Sequence, residues 1–129
     1  MMDDKAHVQL IGELNIELFR KLFPHIATAQ VVLTDKQKQH IIQRHPEVFR
    51  RHASHLQEII QQPDWILGDP KHVDTVLMIK QYENAAMVVL RLCTDNSGKQ
   101  NSIITMWETK QARLQRYLLT HATLFEQNT

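Results

Sequence analysis

Along this chain the spacing of apolar positions switches between helical and strand-like periods. The weak alternation of Val8-Gln-Leu-Ile-Gly-Glu-Leu14 predicts a strand with a bulge at Gly12. Asn15 is a fair N-cap for a short amphipathic helix, Ile16 to Phe23, stopped by Pro24. The apolar run from Gln30 to Leu33 reads as a strand. Thr34 with Gln37 fits a capping box, which starts a helix running to Arg44. Pro46 disfavours the helical conformation at His45 and suits the first turn of a second helix. Phe49, Ala53, Leu56, Ile59 and Ile60 give that helix its apolar stripe, from Pro46 to about Gln62, with Pro63 as its stop.

From Asp64 the period drops towards two. Asp64 to Gly68, Val73 to Lys80, Ala86 to Cys93 and Ser102 to Trp107 read as strands, with a hairpin-length link at Gln81 to Ala85 and a turn cluster at Asp95 to Gly98. Lys110 to Phe125 reads as a closing helix with Leu114, Tyr117, Leu118, His121 and Leu124 turned inward. Helices followed by strands on short links argue for an α+β fold. The expectation is N-terminal helices packed on a roughly four-stranded antiparallel sheet, with a C-terminal helix, one sheet face covered and the other partly open. Trp65 and Trp107 lie in apolar runs and are expected to pack a core, not to stack on a ligand.

Composition narrows the function classes. At 129 residues, 43% hydrophobic and 22% charged, the chain fits one globular domain over 1–129. A net charge of +1 means that an anionic partner must be met by a local patch and not by the global field. No stretch approaches the ~20 apolar residues of a membrane span, and Met1-Met-Asp-Asp-Lys5 lacks the pattern of a secretory signal, so a cytoplasmic location is expected. Cys93 is the single cysteine, which excludes a disulfide framework and a cysteine-rich zinc site. There is no His-Glu-x-x-His, Walker loop, dinucleotide-binding glycine pattern or Gly-x-Ser-x-Gly elbow, so no metal or cofactor is expected.

The densest chemistry is His40, Arg44 and His45. In an unbroken helix residues 40 and 45 would stand about 140° apart. A break at His45 lets the two imidazoles converge beside Arg44, which is already the i,i+4 neighbour of His40. Lys80 ends a row with Val76 and Met78, and Arg91 one with Met87 and Val89. Ser102 and Thr105, three apart, face opposite sides of a regular strand unless a bulge intervenes. Lys110, Arg113 and Arg116, with Lys99 before them, form a basic stripe suited to phosphates or simply to solvent. His52 and His55 share a helical face with Glu58 as the nearest carboxylate, and Arg50 and Arg51 precede them.

The order of the parts carries a resemblance. His40-Ile-Ile-Gln-Arg-His-Pro46 is followed by Gln62-Pro-Asp-Trp-Ile66, a strand ending at Lys80, Val88-Val-Leu-Arg91 and Asn101-Ser-Ile-Ile-Thr105. Over about residues 30–118 this resembles the phage and mobile-element nuclease families of the barnase–EndoU–colicin–RelE superfamily. The resemblance implies a metal-independent endoribonuclease, often a toxin, acting on RNA (tRNA among the candidates) and held in check by an antitoxin or immunity protein. It implies a catalytic set of His40, Arg44, His45, Lys80, Ser102 and Thr105, with Arg91, Lys99, Lys110, Arg113 and Arg116 on the RNA. Barnase-like enzymes use a carboxylate base, and here Glu47 and Glu108 are the nearest candidates. The acid–base pair implied is therefore two histidines, with His45 the base candidate and His40 the acid candidate, or a histidine with a lysine. Two other readings stay open: a non-catalytic RNA- or protein-binding module on the same fold, and a phosphate-ester hydrolase that needs a metal.

Overall fold

The computed structural model describes residues 8–95 and 99–127. Of the predicted turn at Asp95 to Gly98, residues 96–98 lie outside the described residues. The elements in order are β1 (Val8–Glu13), α1 (Ile16–Leu22), β2 (Gln30–Thr34), α2 (Asp35–Arg44) and α3 (Pro46–His52). A single 3-10 turn (Ala53–His55) leads into α4 (Leu56–Gln61). Then come β3 (Trp65–Gly68), β4 (Thr75–Gln81), β5 (Ala85–Arg91), β6 (Asn101–Thr109), α5 (Gln111–Thr120) and β7 (Thr123–Glu126).

The helix starts follow local chemistry. Asn15 Oδ1 accepts from the Leu18 N–H and Thr34 Oγ1 from the Gln37 N–H, each 3.2 Å, satisfying a donor that the first turn leaves open. The chain breaks at His45, whose backbone (φ −140°, ψ 61°) is non-helical, as Pro46 demands. The single helix expected over Pro46–Gln62 is instead α3, the 3-10 turn and α4. The tighter turn nearly eclipses residues three apart, which brings His52 over His55.

The sheet has seven strands, in the order β1-β2-β6-β5-β4-β3-β7, and is mixed: β2 and β6 are parallel and all other neighbours antiparallel. This corrects the four-stranded antiparallel expectation. The four strands predicted after residue 64 do form the centre. β1 and β2 extend it along one edge, because β2 docks beside the start of β6 through Val31 and Val32. Asn101 holds that parallel pair together. It is fully buried, its amide donating to Thr28 O (2.9 Å) and Gln30 O (2.8 Å) while its carbonyl accepts from the Cys93 N–H (2.8 Å). The bulge expected at Gly12 falls between Leu10 and Gly12. A Cβ there would meet Gln57 Cγ at 3.1 Å, so a side chain would require the Gln57 side chain on α4 to shift by a few tenths of an ångström.

The closing helix is also corrected. It ends at Thr120, and residues 123–126 turn back as β7 to pair with β3. A helix through Phe125 would leave the β3 edge unpaired. Ile41, Leu56, Ile59 and Ile60 from the N-terminal helices pack on Val76, Met78, Ala86, Val88, Leu90, Ile103 and Met106 on one sheet face. The other face is not open along its length: Leu114, Tyr117 and Leu118 of α5 cover Leu67, Leu77, Ile79 and Met87. Trp65 and Trp107 pack against this second cluster, each half-buried.

Candidate active site

The strand register sorts the polar candidates by face. Lys80 stands opposite Ala86, and Ala86 opposite Glu108, so Lys80 and Glu108 project to the side covered by the N-terminal helices, at one end of the sheet, about 10 Å apart across two strands. Arg91 stands opposite Ser102, and Val89 opposite Thr105. The register slips between Val89 and Leu90, which leaves Ile104 as an extra residue and turns Ser102 and Thr105 to the same side. That side is the one α5 covers. Arg91 is five residues from Ala86 along β5, about 17 Å away. The sequence-predicted residues are therefore divided between two faces and two ends of the sheet. Arg91, Lys99 and Ser102 come together in a depression of about 320 Å³ with Asp74 and Asp95.

His40 and Arg44 are exposed on α2, and His45 is half-buried at the α2–α3 break, its side chain taking no part in capping α3. Their neighbour Ile41 is fully buried and anchors α2. Lys80 is occupied: its ammonium donates to Gln62 O at 2.7 Å, satisfying a carbonyl at the C-terminus of α4, and lies 4.0 Å from Asp64. Lys110, Arg113 and Arg116 are exposed at the start of and along α5.

Another group of ionisable side chains is brought into contact. It lies where α3, the 3-10 turn and the ends of β4 and β6 meet. His52 is 1% exposed, with its Nε2 2.6 Å from Glu108 Oε2 and its Nδ1 3.1 Å from His55 Nδ1. Arg51 Nη1 donates to the other Glu108 oxygen at 2.5 Å. The Tyr82 ring lies nearly parallel to that of His55, centroids 4.7 Å apart and planes 12° apart, and its hydroxyl donates to Glu58 Oε1 at 2.5 Å.

The charges follow from these contacts. Burial pushes the Glu108 carboxyl upward, but hydrogen bonds from Arg51 and His52 and the charges they bring outweigh it, and the group lies below its ordinary range. Burial and the hydrogen bond to Glu58 push the Tyr82 phenol upward, so it keeps its proton. An ionised carboxylate only accepts, so His52 Nε2 must donate to Glu108. The single proton between the two Nδ1 atoms then has two positions. With His52 neutral, His55 donates and its own Nε2 carries a lone pair. With His52 protonated, His52 donates and His55 Nε2 carries hydrogen.

Among the described residues, no three histidine, cysteine or carboxylate side chains are grouped so as to hold a metal ion. Residues 9–116 match the family described as phage-Barnase-EndoU-ColicinE5/D-RelE like nuclease3. The chain belongs to that nuclease family. Neither a search of curated proteins nor one of solved structures finds a match. The family brings a general nuclease role to this fold, and with it a reason to ask which side chains could move a proton at a phosphodiester.

Sequence reasoning saw parts of this cluster without assembling it. His52 and His55 share a face, and Glu108 is a carboxylate near the last strand. Tyr82 was missed. The signal was available, since extending the alternation of Val76, Met78 and Lys80 by one step puts residue 82 on the same side.

Proposed function

We propose that this chain is a metal-independent endoribonuclease whose acid–base chemistry is centred on His55, with His52 and Glu108 behind it. The observation that carries this is the chain of contacts Glu108–His52–His55, because an ionised, half-buried carboxylate biases the proton positions of both rings. In the state with His52 neutral, His55 presents an unprotonated Nε2 on a half-buried ring. RNA supplies the nucleophile. His55 Nε2 takes the proton of the 2′-hydroxyl, and the 2′-oxygen forms a bond to phosphorus. The bond from phosphorus to the 5′-oxygen breaks as that oxygen is protonated. The products are a 2′,3′-cyclic phosphate and a 5′-hydroxyl end. Tyr82, whose hydroxyl is held by Glu58, keeps the His55 ring in place, and the proton for the leaving oxygen comes from solvent water. Arg51, half-exposed, meets the charge that develops on the phosphate oxygens.

His40, Arg44 and His45 enter as groups on the RNA backbone. His52 is seven positions after His45, about 10 Å along α3. One observation favours them as the acid–base pair instead. The break at His45 leaves that imidazole out of the helix cap and available to substrate. Arg91, Lys99 and Ser102, with Thr105 on the same face and Lys110, Arg113 and Arg116 on α5, are proposed to hold flanking RNA. The family also supports a toxin-like role in which an inhibitor, acidic where it meets Arg51, blocks the site.

The test is incubation of bulk RNA with the protein in excess EDTA, with the ends of the products mapped. Cyclic phosphate ends that disappear in His55→Ala support the reading. Cleavage that requires added zinc or manganese overturns it, and binding of RNA without cleavage gives the non-catalytic alternative.

A further inference from the structure

On the sheet face opposite Glu108 there is a cavity of about 280 Å³, walled by Val89, Trp107, Tyr117 and His121, with Asp69 and Lys71 at its rim. The three rings form a series: Trp107 and Tyr117 have centroids 6.3 Å apart, Tyr117 and His121 5.4 Å, each pair tilted by 42°. All three are half-buried, so each has a surface not taken up by the core. The volume is just below the ~300–1,000 Å³ of pockets that enclose a drug-sized ligand, so it suits a single ring system. Lys71 is exposed beside it, and Arg113, exposed, is the i,i+4 neighbour of Tyr117 on the same flank of α5.

We infer that this cavity receives one base of single-stranded RNA, stacked against Tyr117 and Trp107, with Lys71 and Arg113 meeting the adjacent phosphates. Aromatic walls under a basic rim are the combination that binds single strands with little sequence preference. The occupant is flat, because the walls are rings. It is anionic beside the ring, because the flanking exposed groups are cations. Asp69 adds an acceptor at the rim. Its oxygens already take the Lys71 N–H at 2.8 Å and lie 3.3 Å from His72 Nδ1, which fixes the carboxylate where an exocyclic amino group of a base could reach it. An RNA strand occupying both this cavity and the Glu108 side would pass around the end of the sheet. The inference rests on RNA as the substrate of the proposed function and assigns Trp107 a ligand contact in addition to its packing.

The experiment uses a 2′-O-methyl RNA oligonucleotide, which cannot supply the attacking hydroxyl and so measures binding apart from cleavage. Fluorescence anisotropy of the labelled oligonucleotide and quenching of tryptophan emission are read for the wild type, Lys71→Ala, Arg113→Ala and Val89→Phe, which fills the cavity from its wall. Val89→Phe and the double variant Lys71→Ala/Arg113→Ala, made alongside the single ones, should each bind about tenfold or more weakly, with quenching lost in Val89→Phe, in line with the strength of base–aromatic stacking. Thermal unfolding of each variant checks that the fold is kept. Undiminished binding in folded Val89→Phe overturns the site while leaving the nuclease reading intact. Binding that behaves as expected in a protein that cuts no RNA overturns the nuclease reading and leaves the site. Tight binding of an aromatic peptide with no affinity for the oligonucleotide assigns the cavity to protein and overturns the RNA occupant.

Discussion

His52 and Glu108 are 56 residues apart in the chain, and their side chains meet at 2.6 Å with His52 1% exposed. The contact joins the end of α3 to the end of β6. It makes a carboxylate part of the histidine cluster.

Glu108→Gln should destabilise the protein at pH 7 by about 1–3 kcal/mol, the scale of losing hydrogen bonds to a charged group. Folding lowers the Glu108 pKa from its ordinary value of 4.5. The stabilisation is thus full above that value and is lost as pH falls through the lower folded value. Urea unfolding of wild type and variant should therefore show a gap at pH 7 that narrows in acid. A gap that widens in acid would contradict the ionised pair.

Replacing His55 with Ala should slow RNA cleavage by about 10²–10⁴-fold, the usual scale for general acid–base catalysis. His52→Gln should act through His55 and distort the pH–rate profile as well as lowering the rate. Single-turnover release of cyclic phosphate across pH measures both. A rate loss in His52→Gln with an unchanged profile would reduce His52 to a packing role.

His40→Ala, Arg44→Ala and His45→Ala should raise KM with less than tenfold change in kcat, because they are proposed to hold RNA before and during the reaction. Stability should move little at the exposed His40 and Arg44, in keeping with about ±0.5 kcal/mol for surface changes. Losses of 10²-fold or more in kcat at both histidines would transfer the acid–base roles to them.

Deleting β7 should cost more than its four residues suggest. Leu124 and Phe125 pack on the main core, and the strand covers the edge of β3. A chain ending at His121 should show a lower unfolding midpoint and time-dependent light scattering from the exposed edge. A truncated protein that stays monomeric with an unchanged midpoint would show that β7 only decorates the sheet.

Features that depend on near neighbours can be read from the chain alone. The Asn15 and Thr34 caps, the break that Pro46 imposes at His45, the central strands with their alternation, and the α+β class are all legible there. The family resemblance came from motif order, and the match over residues 9–116 supports it. The remaining features depend on pairing between distant segments. The parallel docking of β2 on β6 and the return of residues 123–126 to β3 are choices of partner, and such a choice leaves little local signature. The slip at Ile104 turned Ser102 and Thr105 to one face, away from Lys80, because a bulge reverses the side-chain parity that a regular strand would keep. The 3-10 turn between α3 and α4 set His52 over His55. Glu108 joined them because the end of β6 packs under α3, and no spacing along the chain encodes a contact between two elements so far apart.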